Sequence, residues 1–584
     1  MKRIFVVIVF LVFCFTAAMY AQSNFIYAKN GRLYHPNGDE VALWGVNLQP
    51  MLSWEYNSLL RRVGVEKETD TLHYITDKSL DELELLGSRV IRCHLTPADF
   101  TDAEGDLQET VFLDALDYMV AEASKRKMYL YITFINHMGS GEVHNSFMHG
   151  NKKDRIKWIF DEEFVKKSQN YITQLLNREN IYNGIQYKSD TAIAVWEISN
   201  EPRYLEYKDV KDSNYEKPYR KWLRRRWKDD DEENFRAYRE AKVNDYINEM
   251  YRTIRKTGAR QPVSWCCNWH KMIIGHEDVF AGIADSKVEV VSFCNYPGQS
   301  VVKYPYQKNP EDLTRHDYSD WYVDCYSKEE YYGWALTKPF MKKAKIVYEF
   351  ETFYNQSAYL YPVMADFFKS MGVQIATIWH YSMPAYATYR KGSHVLNLLC
   401  TPDKSASFAV AGKIFEETPL YLPYHVESTT EWKTDKFAYS YKDNMSFFSD
   451  ENSYFYSASI DDSFPIKAYP SVSEIFGYGN SPLVEYTGNS NYQVYISENV
   501  IDIFLHPDVR YLIELWDRNK PGYGPATLLR SKEGRTMKLY LEGWDEGNYT
   551  LFKVEDGKNI RKGSTKVTQF FATPGHYKII RNTN

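Results

Sequence analysis

Two carboxylates stand where apolar runs break off. Residues 191–203 read TAIAVWEISNEPR, with Ala192 to Trp196 apolar, as suits a strand buried on both faces. The run then gives way to Ser199, Asn200, Glu201 and Pro202. Pro202 fits a strand exit, because it cannot donate the next ladder hydrogen bond. Residues 345–350 read KIVYEF and place Glu349 at the end of a second such run. Barrel enzymes present catalytic acids at the C-terminal ends of their strands. A pair of carboxyl groups flanking a glycosidic bond is the requirement for glycoside hydrolysis. For Asn-Glu-Pro taken alone, a solvated loop glutamate is the competing reading.

The elements around these two residues decide whether they can meet. Apolar runs suited to strands fall at 41–47 (VALWGVN), 89–95 (RVIRCHL), 128–135 (MYLYITFI), 191–199, 262–268 (PVSWCCN), 288–296 (VEVVSFCNY), 345–350 and 374–380 (QIATIWH). Helical spacing is expected over 77–86 with Asp77 as N-cap, and over 111–125, 164–177, 234–256 and 358–370. Only a short helix fits after Trp269. Eight short strands, most separated by helices, predict an α/β chain folded as a (β/α)8 TIM barrel. Its strand ends would gather Asn47, Arg92, His137, Asn200, Glu201, Tyr296, Glu349 and Trp379 around one mouth, where strands four and seven face each other. Arg92 as a barrel salt bridge, Trp379 as core and His137 as a loop or core histidine are the alternatives. A charged insertion, 204–233, follows the fourth strand; its basic run Arg220 to Lys228 reads as a solvated face rather than a phosphate site.

The 584-residue chain is long enough for two or three domains. Residues 22–420 are expected to be the barrel. Near Pro419 helical periodicity yields to short alternating strands, which predicts one or two small β-sandwich domains, at 421–509 and 510–584. A net charge of −6 argues against a nucleic-acid partner. Aromatics reach 16%, with 49 Tyr and 14 Trp, which favours ring stacking on the apolar faces of sugars, with a tyrosine-rich core as the alternative. Lys2 and Arg3 precede an apolar run, Ile4 to Phe15, and small residues up to Ala21, the pattern of a secretory signal peptide over 1–21. A secreted or periplasmic protein without a stable membrane span is expected. Cys93, Cys266, Cys267 and Cys294 lie in strand-like runs and look like buried small hydrophobes rather than a disulfide framework, and no His/Cys spacing calls for a metal or other cofactor. No motif sets an oligomeric state.

Six pieces together resemble the clan A glycoside hydrolases, family 5 above all: GVN at 45–47, the Arg of VIR at Arg92, SNEP at 199–202, NY at 295–296, YEF at 348–350 and IW at 378–379. They follow the family's order over roughly residues 41–385. The resemblance implies a retaining β-glycoside hydrolase acting on glucan or mannan-type polysaccharide or oligosaccharide. Glu201 would be the acid/base and Glu349 the nucleophile. Arg92 and Tyr296 would favour ionised Glu349, Asn200 would hold a sugar hydroxyl, Trp379 would floor the subsite, and His137 is a further subsite candidate. Glu351, where the family usually has Gly, and Cys294, where many relatives have His, depart from the pattern. If the strand continues, Glu351 shares a face with Glu349; Phe350 after Glu349 matches the family and favours Glu349. The tail segment LVEYTGNSNYQVY loosely resembles tail domains of other barrel glycosidases. The loop 297–334 offers Tyr304, Tyr306, Trp321 and Tyr322 as sugar platforms or as packing. An exo-acting β-mannosidase or β-galactosidase, and a non-catalytic carbohydrate-binding barrel, are the alternative functions.

Overall fold

The computed structural model describes residues 24–48, 68–137, 141–149, 154–297, 317–351, 358–387, 396–424, 431–459, 472–512, 526–544, 548–565 and 568–582. The leader 1–21, Tyr304 and Tyr306 lie outside them. Eight parallel strands close into a barrel. They are β1 (Leu43–Asn47), β2 (Val90–His94), β3 (Tyr129–Ile135), β4 (Ile193–Ser199), β5 (Val263–Cys266), β6 (Val290–Asn295), β7 (Ala344–Phe350) and β8 (Val373–Ile378). β8 pairs with β1, so no strand edge is left open. All eight expected strands are present.

Each strand is followed by a helix on the outside: α1 (Thr69–Leu85), α2 (Val111–Lys125), α3 (Glu162–Asn177), α4 (Glu232–Lys256), α5 (Glu277–Ala284), α6 (Ser319–Ser327), α7 (Leu360–Ser370) and α8 (Pro402–Glu417). α5 has only eight residues, the short helix expected after Trp269. α1 corrects the sequence reading, for it begins at Thr69 and not after Asp77. Leu72 and Ile75 carry the buried stripe of Leu80 and Leu83 one turn and more upstream, so the helix extends with it. Asp77 sits inside the helix and accepts the Tyr118 hydroxyl of α2 at 2.9 Å. The basic run of the insertion forms a helix, Glu216–Arg226, whose Lys217, Arg220, Lys221 and Arg224 to Arg226 are exposed.

The N-terminal end of the barrel is closed by a hairpin, Tyr27–Lys29 with Arg32–Tyr34. Its Leu33 and Ile26 join Val90, Tyr131, Val290 and Ile346 in the barrel's interior core. The Gln374 side chain secures it, accepting from Leu33 N at 2.6 Å and donating to Leu33 O at 2.8 Å. With that end plugged, the C-terminal mouth is the end of the barrel left to receive a ligand, as in other barrels of this kind.

The tail forms a ten-stranded and a three-stranded sheet, with side chains of both, such as Tyr492 and Ile503 against Val484 and Met537, in one core. Both sheets draw strands from either side of residue 510: Val500–Leu505 pairs with Gly575–Arg581, and Val484–Tyr486 with Arg535–Leu539. Phe437, Tyr439, Phe448 and Phe455 of the tail share a second core with Phe408 and Phe415 of α8. Polar ties reinforce it, including Asn491 Nδ2 on Leu398 O at 2.9 Å and Ser457 Oγ on Asp403 O at 2.9 Å. The tail is therefore built onto the barrel's outer layer.

β7 ends at Phe350, and Glu351 turns outward between α7 and α8. It accepts the Tyr361 hydroxyl and the Lys404 ammonium, each at 3.0 Å, and is fully buried. Its part is structural. Removing one member of a buried ion pair strands the other charge, so Lys404→Met is expected to cost about 3 kcal/mol. A lowered urea midpoint checks this; an unchanged midpoint would mean that the pair holds nothing.

Candidate active site

Arg92 on β2 is the hub of the mouth. It is fully buried inside the barrel, a position tolerable for a guanidinium only when its donors are taken up. Nε donates to Glu197 Oε2 at 3.2 Å, and Nη2 meets the same oxygen. Nη2 also donates to Asn200 Oδ1 at 3.0 Å. Nη1 donates to Asn47 Oδ1 at 3.1 Å and to Glu349 Oε1 at 3.0 Å, and touches His94 Nε2. The ring of Tyr348 lies 4.7 Å from the guanidinium carbon. Asn47 passes the constraint on, its Nδ2 donating to Tyr348 O at 2.9 Å and Ile378 O at 3.1 Å. One cation thus ties together β1, β2, β4 and β7.

Glu197, which the sequence reading passed over, is the counter-charge. It lies on β4 with no exposure and accepts Thr133 Oγ1 at 2.7 Å, Ser292 Oγ at 2.6 Å and the Tyr131 hydroxyl. Burial by itself would raise its pKa. Arg92 and then the three hydroxyls outweigh that and hold it below the usual carboxylate value. A signal for it exists in the sequence: an ionisable residue in the middle of VWEIS demands a partner inside the barrel.

Glu349 accepts Arg92 on one oxygen and the Tyr296 hydroxyl on the other, at 2.8 Å, with His94 Nε2 3.2 Å away. Burial pushes it up to about 7 against the opposing pull of Arg92 and Tyr296. Tyr296, itself buried, keeps its proton because burial and the charge of Glu349 both disfavour the phenolate.

Glu201 lies just past the end of β4 in the left-handed backbone region, φ 50°. Such a conformation in a non-glycine residue costs on the order of 1 kcal/mol or more and persists only where neighbours impose it. Here the neighbours are identifiable. Glu201 N donates to Cys266 Sγ at 3.4 Å, and Arg155 Nη1 donates to Glu201 O at 2.8 Å and Oε2 at 3.2 Å. Asn268 Nδ2 donates to Pro202 O at 2.7 Å. Tyr348 OH reaches Glu201 Oε1 at 3.4 Å. The Glu201 pKa is raised, by burial first and by the charge of Glu349 second, while His137 and Arg155 pull it back.

All eight strand-end residues singled out in the sequence, Asn47 included, reach this region. Arg92 only donates, so Asn200 must turn Oδ1 to it and keep its NH2 end as a donor. His137 lies close enough to Glu201 for its charge to be felt there. Trp379 follows β8 and stacks on His94, centroids 5.1 Å apart and planes 24° apart. Sequence reasoning missed Glu197, His94 and Arg155. His94 was readable as the last residue of β2, on the same face as Arg92 two residues earlier; Arg155, between β3 and α3, carried no signal. Cys294, where relatives often carry His, is buried and directs Sγ to Asn268 O at 3.6 Å. Trp321 and Tyr322 pack α6 down, Tyr322 by a 2.8 Å bond to Asn295 Oδ1 and Trp321 against His270. Among the described residues no cluster suits a metal ion, all six cysteines are free and buried, and no helix is long and apolar enough to cross a membrane.

No protein-family model matches the chain. Among curated proteins, mannan endo-1,4-beta-mannosidase 5 of Arabidopsis thaliana is 32% identical over 114 residues, 17% of this chain and 24% of that protein. Mannan endo-1,4-beta-mannosidase 1 of the same plant is 27% identical over 187 residues, 30% of this chain and 41% of the relative. The chain thus spans about a quarter to two fifths of the length of these relatives. Among solved structures, an endo-1,4-beta-mannanase from Rhizomucor miehei superposes with a TM-score of 0.46 at 15% identity, covering 68% of this chain and 100% of that one.

The pKa shifts make a stability prediction. A carboxylate whose folded pKa lies above its unfolded value weakens the fold as it ionises. For Glu201 the penalty is absent below the unfolded pKa and complete once pH passes the folded one. Glu201→Gln removes it. The variant should melt above the wild type at about pH 8 and level with it at about pH 4, as thermal scans at the two pH values would show. Equal melting temperatures at both would contradict the electrostatic account.

Proposed function

We propose that this chain is a retaining β-glycoside hydrolase of the family 5 type, exported from the cell and acting on a β-linked mannan. The observation that carries the reading is the pairing of two unlike carboxylates at one barrel mouth. Glu349 is held by Arg92 and the Tyr296 hydroxyl, both of which favour its ionised form. Glu201 has its proton favoured by burial and by Glu349. Burial raises Glu349 to about 7 all the same, so the assignment of the charge to it rests on geometry: Glu349 accepts two close donors, Arg92 and Tyr296, where Glu201 accepts the longer bonds of Arg155 and Tyr348.

The chemistry follows from that division. Ionised Glu349 attacks the anomeric carbon while Glu201 gives its proton to the leaving oxygen, so the glycosidic bond breaks as the glycosyl–Glu349 ester forms. The departing sugar carries the proton away and leaves Glu201 as a carboxylate. Glu201 then takes a proton from water, whose oxygen attacks the same carbon and frees Glu349. Both ends of the cycle have the same net charge. The Asn200 NH2 donates to the hydroxyl beside the anomeric centre, and Trp379 offers its indole face to the ring being cleaved. Mannan as the polymer is supported by the activity named for the Arabidopsis relatives, and export by the pattern of residues 1–21.

Residues 22–584, incubated with β-mannans, β-glucans, xylan and β-galactans, should release mannose-containing products with retention of configuration. Glu349→Ala and Glu201→Gln should each lose about a thousandfold or more in turnover. Sugar binding without release from any polymer or aryl glycoside would replace the enzyme with a binding protein. Tyr296→Phe tests the nucleophile assignment by pH. Losing a donor to the charged form raises the Glu349 pKa, so the acid limb of kcat/KM should move up by about 1 pH unit; an unmoved limb would contradict that role.

A further inference from the structure

Trp269 has no part in the scheme above, yet its setting is unusual. It is 38% exposed, in a barrel where Trp44, Trp158, Trp196, Trp265 and Trp334 are fully buried. It follows β5 at the C-terminal mouth, and its ring centroid lies 5.6 Å from that of Tyr296, planes 35° apart. Tyr296 in turn donates to Glu349.

Both chain neighbours of Trp269 are anchored. Asn268 is buried and left-handed, φ 64°. Besides donating to Pro202 O, it takes the Cys266 thiol on Oδ1 at 3.7 Å and has Cys294 N on its carbonyl at 3.2 Å. On the other side the His270 ring packs between Tyr331, at 5.2 Å, and Trp321, at 5.9 Å. An exposed indole between two fixed residues loses little further entropy when a ligand stacks on it. Its position is also tied, through Asn268 and Pro202, to the turn that carries Glu201.

We infer that Trp269 is the stacking platform for the sugar on the leaving-group side of the cleaved bond. The inference rests on the glycosidase reading and deepens it. Trp379, just past β8, stacks on His94, which in turn lies 3.2 Å from Glu349. Trp269 follows β5, which pairs with β4, the strand that leads to Glu201, whose proton goes to the departing oxygen. A β-linked hexose presents an apolar C–H face to an indole there, and its hydroxyls remain free for the polar rim.

The test compares two substrates that differ only in what fills the leaving-group side: β-1,4-mannotetraose and a mannobiosyl fluoride, whose fluoride occupies no sugar subsite. In Trp269→Ala, kcat/KM for the tetraose should fall about tenfold more than that for the fluoride. Trp269→Phe, which keeps a ring, should recover most of the loss. Equal falls on both substrates, or none, would overturn the platform while leaving the glycosidase reading intact. Turnover of neither substrate by the wild type would overturn the mannan-cleaving reading and the platform with it.

Discussion

The mouth of the barrel depends on one fully buried ion pair. Arg92 and Glu197 are each without exposure, on strands that are not neighbours, and each is saturated by further hydrogen bonds. Placing two charges in a barrel core is expensive, and an apolar pair of like volume would serve stability as well or better. What the pair provides is direction. With one edge of the guanidinium held by Glu197, the remaining donors are directed at Asn200, Asn47, His94 and Glu349. The candidate nucleophile and the amide beside the candidate acid are oriented by the same rigid fork.

Glu201 is held in a different way. Among the described residues no cation buried in the core hydrogen-bonds to it; its left-handed turn is kept by a backbone bond to a thiol, by Arg155 from the loop after β3, and by Asn268 from the loop after β5. The nucleophile candidate therefore sits on the stiff side of the barrel and the acid candidate on a strained turn tied to two loops. That asymmetry suits the proposed roles, in which one carboxylate holds a charge in one place and the other gives and takes a proton.

The tail's attachment follows from ordinary hydrophobic packing. α8 is buried almost all round, because one side covers β1 through the Trp44 ring and another receives phenylalanines and tyrosines of the first tail strands. A helix apolar on both sides needs two partners, and the tail sheet is the second. The barrel therefore carries the tail as a fixed body on the α7–α8 side.

The eight strands were legible because parallel barrel strands are buried on both faces and read as unbroken apolar runs. Arg92, Asn200, Glu201, Tyr296, Glu349 and Trp379 were legible because each stands where such a run ends, and barrel topology brings strand ends together whatever their separation in the chain. Tertiary structure alone decided the rest. α1 starts before Asp77 because its buried stripe is defined by what it packs on. Glu351 is structural because β7 stops at Phe350 and the next residue turns towards Lys404, a partner 53 positions on that no local pattern announces. Glu197, Arg155 and Trp269 acquire their places from contacts across the barrel and between loops, and sequence spacing holds no record of which loop will lie beside which.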